Sequence, residues 1–129
     1  MKRFFVILLI MFFLLPVYGV QDEIEWKKVA ENSYINPDGI MGVEDIYGYS
    51  FLLKSYNKGQ YESVNGKKIN YTLSQYTIDC VKNKYKIGMI DSYGYDDNFI
   101  NGDYNRYALF QPIVGGTAVS AVAKELCRP

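Results

Sequence analysis

Histidine is absent from the 129 residues. Without it there is no Ser-His-Asp triad, no imidazole to activate a cysteine, and no nitrogen ligand to complete a zinc site that two sulfurs cannot fill alone. A G-x-S-x-G nucleophile elbow is also missing. Cysteine is scarce, at Cys80 and Cys127 only. Neither charge dominates, with 14 Lys and Arg against 14 Asp and Glu. A phosphate-tracking surface needs clustered cations that release counterions, so no nucleic-acid partner is expected. The nearest approach to a phosphate loop, Gly59 to Gly66 followed by Lys67 and Lys68, has the wrong spacing and a lysine where the metal-binding hydroxyl belongs. It reads as a surface turn. The stretch from Asp96-Asp97-Asn98 to Asp103 does not match a calcium loop's alternating ligands, obligatory glycine and terminal glutamate, and reads as a solvated loop. No metal or cofactor is expected.

Long apolar runs are limited to one place. Lys2 and Arg3 precede an unbroken apolar stretch from Phe4 to Leu15, closed by Pro16. Its 12 residues fall short of the roughly 20 that span a bilayer, and the order of basic start, apolar core and small residues at Val17 and Gly19 is that of a secretory leader. The expected division is residues 1–19 as signal peptide and 20–129 as one domain. No cysteine follows the cut, so the thiol for a lipid anchor is lacking and no stable membrane insertion is expected. Loss of Lys2 and Arg3 changes the balance from 14 against 14 to 12 basic against 14 acidic residues, a mildly acidic chain. In an oxidising compartment two cysteines most simply form one disulfide, and a small exported domain often depends on such a staple.

The remainder alternates short β-type runs with Gly, Asn, Pro and Asp punctuation. Ile24 to Ala30 and Tyr34 to Ile35 are short candidate strands, followed by the turn signal Asn36-Pro37-Asp38-Gly39. Ile46 to Tyr56 is longer and aromatic. Tyr71 to Val81 and Lys84 to Tyr95 form the clearest hairpin, with a tight turn around Lys82-Asn83. Period-2 alternation puts Tyr76, Ile78 and Cys80 on one face and Thr77 and Asp79 on the other, with Tyr85, Ile87 and Met89 continuing the apolar face. A last strand is expected over about Ala108 to Ile113. Asn65-Gly66 and Asn101-Gly102 carry the signature of type I′ hairpin tips. After Gly115-Gly116 the period changes: Thr117 caps a helix in which Val119, Val122 and Leu126 share a stripe. Cys127 ends that helix, so a bridge to Cys80 pins it to the apolar face of the sheet. The expected fold is α+β, an antiparallel sheet of about six strands with a C-terminal helix.

Tyrosine is in excess, with 12 of 13 beyond the leader. Tyr47, Tyr49, Tyr56 and Tyr61 flank one excursion; Tyr93, Tyr95, Tyr104 and Tyr107 flank another. Tyrosine supplies large amphipathic contact area at low entropy cost, although β-propensity explains a tyrosine in a strand equally well. Lys84 and Lys86 alternate with Tyr85 and Ile87, so they point away from the apolar face; lysines there either recognise an anionic partner or protect an edge. The candidate binding surface is Lys84, Lys86, Tyr93, Tyr95, Tyr104 and Tyr107.

An ordered set of segments resembles the surface-adhesin protein E family: Trp26-Lys27-Lys28-Val29, Tyr34-Ile35-Asn36-Pro37-Asp38-Gly39-Ile40, Thr77-Ile78-Asp79-Cys80, Lys84-Tyr85, and the ending from Pro112 to Cys127. The resemblance implies an antiparallel sheet with the helix tethered across its concave face by the disulfide. It implies a virulence role on Gram-negative bacteria, in adhesion to host matrix or serum proteins such as vitronectin and laminin. The matching residues are structural, so no ligand contact carries over. The missing anchor cysteine departs from a lipid-anchored surface protein and makes periplasmic residence or release as good an expectation as surface display. The expected function is an exported, non-catalytic binding module with a protein partner. The alternatives are a periplasmic binding or inhibitor protein acting on an envelope enzyme, a structural subunit of an envelope complex, and a small envelope enzyme using two carboxylates brought together by folding.

Overall fold

The computed structural model describes residues 24–57, 63–64 and 66–128. The expected leader, its cleavage point, Tyr61 and Asn65 lie outside the described residues. The strands in chain order are β1 (Lys27–Ala30), β2 (Ser33–Ile35), β3 (Met41–Gly42), β4 (Gly48–Tyr56), β5 (Ser63–Val64), β6 (Lys67–Lys68), β7 (Tyr71–Asp79), β8 (Lys84–Tyr93), β9 (Phe99–Tyr104) and β10 (Gln111–Pro112). Among the described residues a 3₁₀ turn covers Pro37–Gly39 and a helix, α1, covers Ala118–Leu126. Six strands run in the order β1-β2-β4-β7-β8-β10, with β3 added on β4 and β9 on β8, and every pairing is antiparallel. β5 and β6 form a separate small hairpin. The α+β arrangement read from the sequence is the fold.

Local chemistry accounts for the turns. Asn32 joins β1 to β2 at φ 61° and Asn83 joins β7 to β8 at φ 57°, the left-handed region that asparagine tolerates best after glycine. The Asp79 carboxylate closes the second turn by accepting from the backbone N–H groups of Val81 and Lys82, each at 3.1 Å. Those two hydrogen bonds are why an acidic side chain only 5 % exposed is stable there. Asn36 accepts from the Asp38 N–H and so caps the 3₁₀ turn, with proline in its first turn.

Burial follows the period of 2. Ile35, Leu53, Phe51 and Ile78 project to one side of β2, β4 and β7, where α1 covers them with Val119, Val122 and Ala123. Thr117 caps α1 by accepting from the Ser120 N–H at 3.2 Å, and Val119 and Val122 are buried. Cys80, just past the end of β7, is bonded to Cys127 at the C-cap of α1, as the two-cysteine count requires. At Gly48 a Cβ would collide with the carbonyl of Ile78, so only glycine lets β4 approach β7 at its first pair, Gly48 with Asp79.

Three sequence expectations are corrected. Met89 does not continue the apolar face: Tyr76 pairs with Ile87 and Gln75 with Met89, so Gly88 is an extra residue. This bulge carries Met89 to the side opposite the helix. Asn101-Gly102 is no hairpin tip but lies inside β9. Gly102 sits close against its neighbours: a Cβ there would stand 2.8 Å from Asp91 Oδ1 and 3.1 Å from the Phe99 ring, so either side chain would have to shift. The real turn is Gly94 to Asn98, with Asp97 at φ 63°, and its hairpin makes β9 a strand. The last expected strand shrinks to Gln111–Pro112, because β9 already pairs with the other half of β8. Of the first Asn-Gly pair, Gly66 is described, at φ 78° in the link between β5 and β6.

Candidate binding face

The side of the sheet away from α1 carries the side chains that alternate with the core. Register puts Tyr34 opposite Lys54, Lys54 opposite Leu73, Tyr56 opposite Tyr71, Tyr71 opposite Tyr93 and Tyr93 opposite Phe99. The result is a continuous row of rings across five strands. Tyr34 and Tyr56 meet edge to face at 5.8 Å and Tyr56 and Tyr71 are tilted at 5.6 Å. Tyr71 and Tyr93 stack at 5.1 Å, and Tyr93 meets Phe99 edge to face at 5.8 Å. Cross-strand aromatic pairs of this kind each contribute about 0.5–1 kcal/mol, so the row stiffens this side of the sheet.

Lys54 stands within it. Its Nζ lies 4.4 Å from the Tyr71 ring centre, 5.1 Å from Tyr56 and 5.3 Å from Trp26, all within cation–π range. Among the described residues the one ion pair is Lys27 with Glu125, so no carboxylate neutralises Lys54. Beside it is a concavity of ≈ 420 Å³ lined by Trp26, Asn32, Tyr34, Lys54 and Tyr56.

Tyr71 is buried, and its hydroxyl donates to Asp97 Oδ1 at 3.1 Å. Burial first, then the bond to the Asp97 carboxylate and its negative charge, pushes the phenol up to about 12. Asp96 accepts from the Asn98 backbone N–H and side-chain amide, which holds its carboxyl below the ordinary range. The acidic stretch is thus employed in closing a turn. Among the described residues no three of His, Cys, Asp and Glu come close enough to hold a metal ion. Nor is any helix there long and apolar enough to cross a membrane.

The six residues singled out in the sequence are dispersed. Lys86 and Tyr104 come together around a small concavity of ≈ 190 Å³ with Gln75, Thr77 and Arg106, and Lys86 Nζ lies 4.9 Å from the Phe110 ring. At the start of β8 the backbone of Lys84 stands in register between Asp79 of β7 and Pro112 of β10. Tyr93 is part of the aromatic row. Tyr95 sits in the Gly94–Asn98 turn beside Lys67 and Lys68, and Tyr107 is exposed in the loop after β9. Trp26, Tyr34, Lys54 and Tyr71 were not singled out. The i, i+2 pair Lys54 and Tyr56 was a local signal that one strand puts a cation and a ring on the same side. That Tyr34, Tyr71 and Trp26 join them depends on the pairing of three other segments.

No family model matches the chain, and no curated protein matches it. Among solved structures it is similar to protein E of Haemophilus influenzae, with a TM-score of 0.57 and 14 % sequence identity over 79 % of this chain and 83 % of that one. With its antiparallel sheet and disulfide-tethered C-terminal helix, the chain has the fold of Haemophilus influenzae protein E.

Proposed function

We propose that this chain is an exported, non-catalytic binding module that holds a protein partner on the helix-free face of its sheet, in the manner expected of an adhesin. The observation that carries the reading is the side of the sheet away from α1, on which no helix packs among the described residues. α1 is bonded to one side of the sheet, while the other displays Lys86, Arg106 and Tyr104 around shallow relief, with Lys84 two residues before Lys86 on the same strand. Flat surfaces of mixed aromatic and basic side chains suit protein partners, with no side chain requiring a perturbed pKa. The shared fold with protein E supports this assignment, and vitronectin and laminin are the first partners to test. Export is part of the proposal: the processed protein begins at Val20.

The test measures association of the oxidised protein with immobilised vitronectin and laminin. Reversing two charges, Lys84→Glu with Lys86→Glu, slows association with an acidic surface by about tenfold or more and leaves melting unchanged. Tyr104→Ala with Tyr107→Ala speeds dissociation, because exposed rings at an interface act mainly through the off-rate. Variants that bind as wild type overturn the surface assignment. If wild type binds neither protein, the host-adhesion role fails and a partner within the cell envelope takes its place.

A further inference from the structure

We propose that the concavity beside Lys54 is a saccharide site, in which a sugar ring bearing a carboxylate lies on the aromatic side chains and its carboxylate meets the Lys54 ammonium. The site is separate from the surface assigned above. Lys54 stands opposite Leu73 on β7, whereas Lys86 stands opposite Thr77, further along the same strand.

Three features select this ligand class. The first is charge. Lys54 is half-buried among Tyr71, Tyr56 and Trp26, and no carboxylate among the described residues pairs with it. The rings hold the stem and the inner side of the ammonium, leaving the outward N–H groups for an anion from outside. An ammonium already partly stripped of water interacts with a carboxylate more strongly than a free surface lysine does.

The second is the lining. Tyr34 and Tyr56 meet at 88°, so the hollow has an aromatic floor and an aromatic wall. The axial C–H groups of a sugar carry partial positive charge and seat on the negative face of an aromatic ring, as other positive edges do. Around them the Asn32 amide and the Tyr34 and Tyr56 hydroxyls have no hydrogen-bond partner among the described residues. They are open to a ligand's own hydroxyls. At ≈ 420 Å³ the hollow is within the usual range for small ligands.

The third feature argues against a peptide. The hollow opens on the face of paired strands: β4 is bonded to β2 on one side and β7 on the other, and the Tyr56 N–H is taken by the Asn32 carbonyl at 2.8 Å. On β4, beneath the hollow, the backbone groups that would hold an extended peptide by strand addition are already used. Recognition there is left to side chains, which suits a rigid ring dense in hydroxyls.

Trp26 is the only tryptophan and lines the hollow, so its emission reports occupancy. The oxidised protein is titrated with glucuronic acid and sialyllactose, with glucose and lactose as the uncharged partners and glutamate as a carboxylate without a sugar. Expected is a saturable change in emission with the acidic sugars at about millimolar concentration, at least tenfold weaker for the neutral sugars and for glutamate. Affinity falls with added salt. Lys54→Met, which keeps the apolar stem, removes the preference for acidic sugars, and Lys54→Arg restores it. In wild type, the NMR signals of Trp26, Tyr34 and Tyr56 shift on binding and those of Lys86 and Arg106 do not, a readout that survives even if a Lys54 variant fails to fold. No saturable change up to about 20 mM, equal binding of neutral and acidic sugars, binding of glutamate as tight as that of glucuronic acid, or shifts confined to other residues each overturn the proposal.

Discussion

Breaking the Cys80–Cys127 bond offers the sharpest test of how this domain is held together. The bond joins residues 47 apart in the sequence. Closing a loop of that length removes unfolded-state entropy worth about 4 kcal/mol at 25 °C. A domain of this size has only about 5–15 kcal/mol of stability in total, so the bond supplies a large share. The helix makes the loss visible. α1 has nine residues, below the roughly 12–15 at which an isolated helix becomes even marginal, so it persists only while docked. Its other attachments are the burial of Val119, Val122 and Ala123 and an exposed 4.0 Å ion pair between Lys27 and Glu125; such exposed pairs contribute little. Cys127→Ser should therefore lower the melting temperature by about 15–30 °C, with faster hydrogen exchange over residues 118–126 than in the central strands. Melting followed by circular dichroism, on the variant and on reduced wild type, gives the first quantity, and exchange mass spectrometry the second. If the variant melts within about 3 °C of wild type, loop closure is not a main source of stability and the reasoning fails.

Two other perturbations probe single contacts. Gly48→Ala should lower the urea midpoint by the equivalent of about 3 kcal/mol, because the added Cβ meets the Ile78 backbone carbonyl, which cannot rotate away as a side chain would; an unchanged midpoint would show that β4 shifts at no cost. Tyr71 gives a pH signature: its pKa is raised in the folded state to about 12 from the ordinary 10, so the folded protein holds this proton more tightly than the unfolded chain. The stability this contributes is complete below pH 10 and is lost as pH rises through 12. Denaturation at a series of alkaline pH values should show that decline, and Tyr71→Phe should flatten it; a variant with the same slope as wild type would assign the alkaline loss to another group.

Much of the fold was legible because its signals are local. The alternation in Tyr71 to Asp79 predicted which residues face the core, and Ile78 is fully buried. Thr117 and the Val119, Val122 stripe predicted the cap and inner face of α1. Two cysteines without histidine pointed to the bridge. The errors came where one residue changes the register. Gly88 inside Ile87-Gly88-Met89 is the one local hint, since a glycine within a strand often marks a bulge, but alternation alone keeps Met89 with the core, and the bulge sends it to the opposite face. Asn101-Gly102 has the composition of a turn, but Phe99 and Asp91 crowd Gly102 inside a strand, and the neighbouring Gly94–Asn98 segment turns instead.

The sequence by itself determined the class of architecture, the residues on either side of β7 and of β8 as far as Ile87, the helix with its cap, and the covalent tie between helix and sheet. These follow from spacing within one segment and from the chemistry of two side chains. Only the tertiary structure decided which strands lie side by side and in what register, and so only it assembled Tyr34, Lys54, Tyr56, Tyr71 and Tyr93 into one row with Trp26 over the lysine. A period of 2 says which residues of one strand share a side. It carries no information on which residue of another strand stands opposite, because that register depends on pairing between segments far apart in the chain.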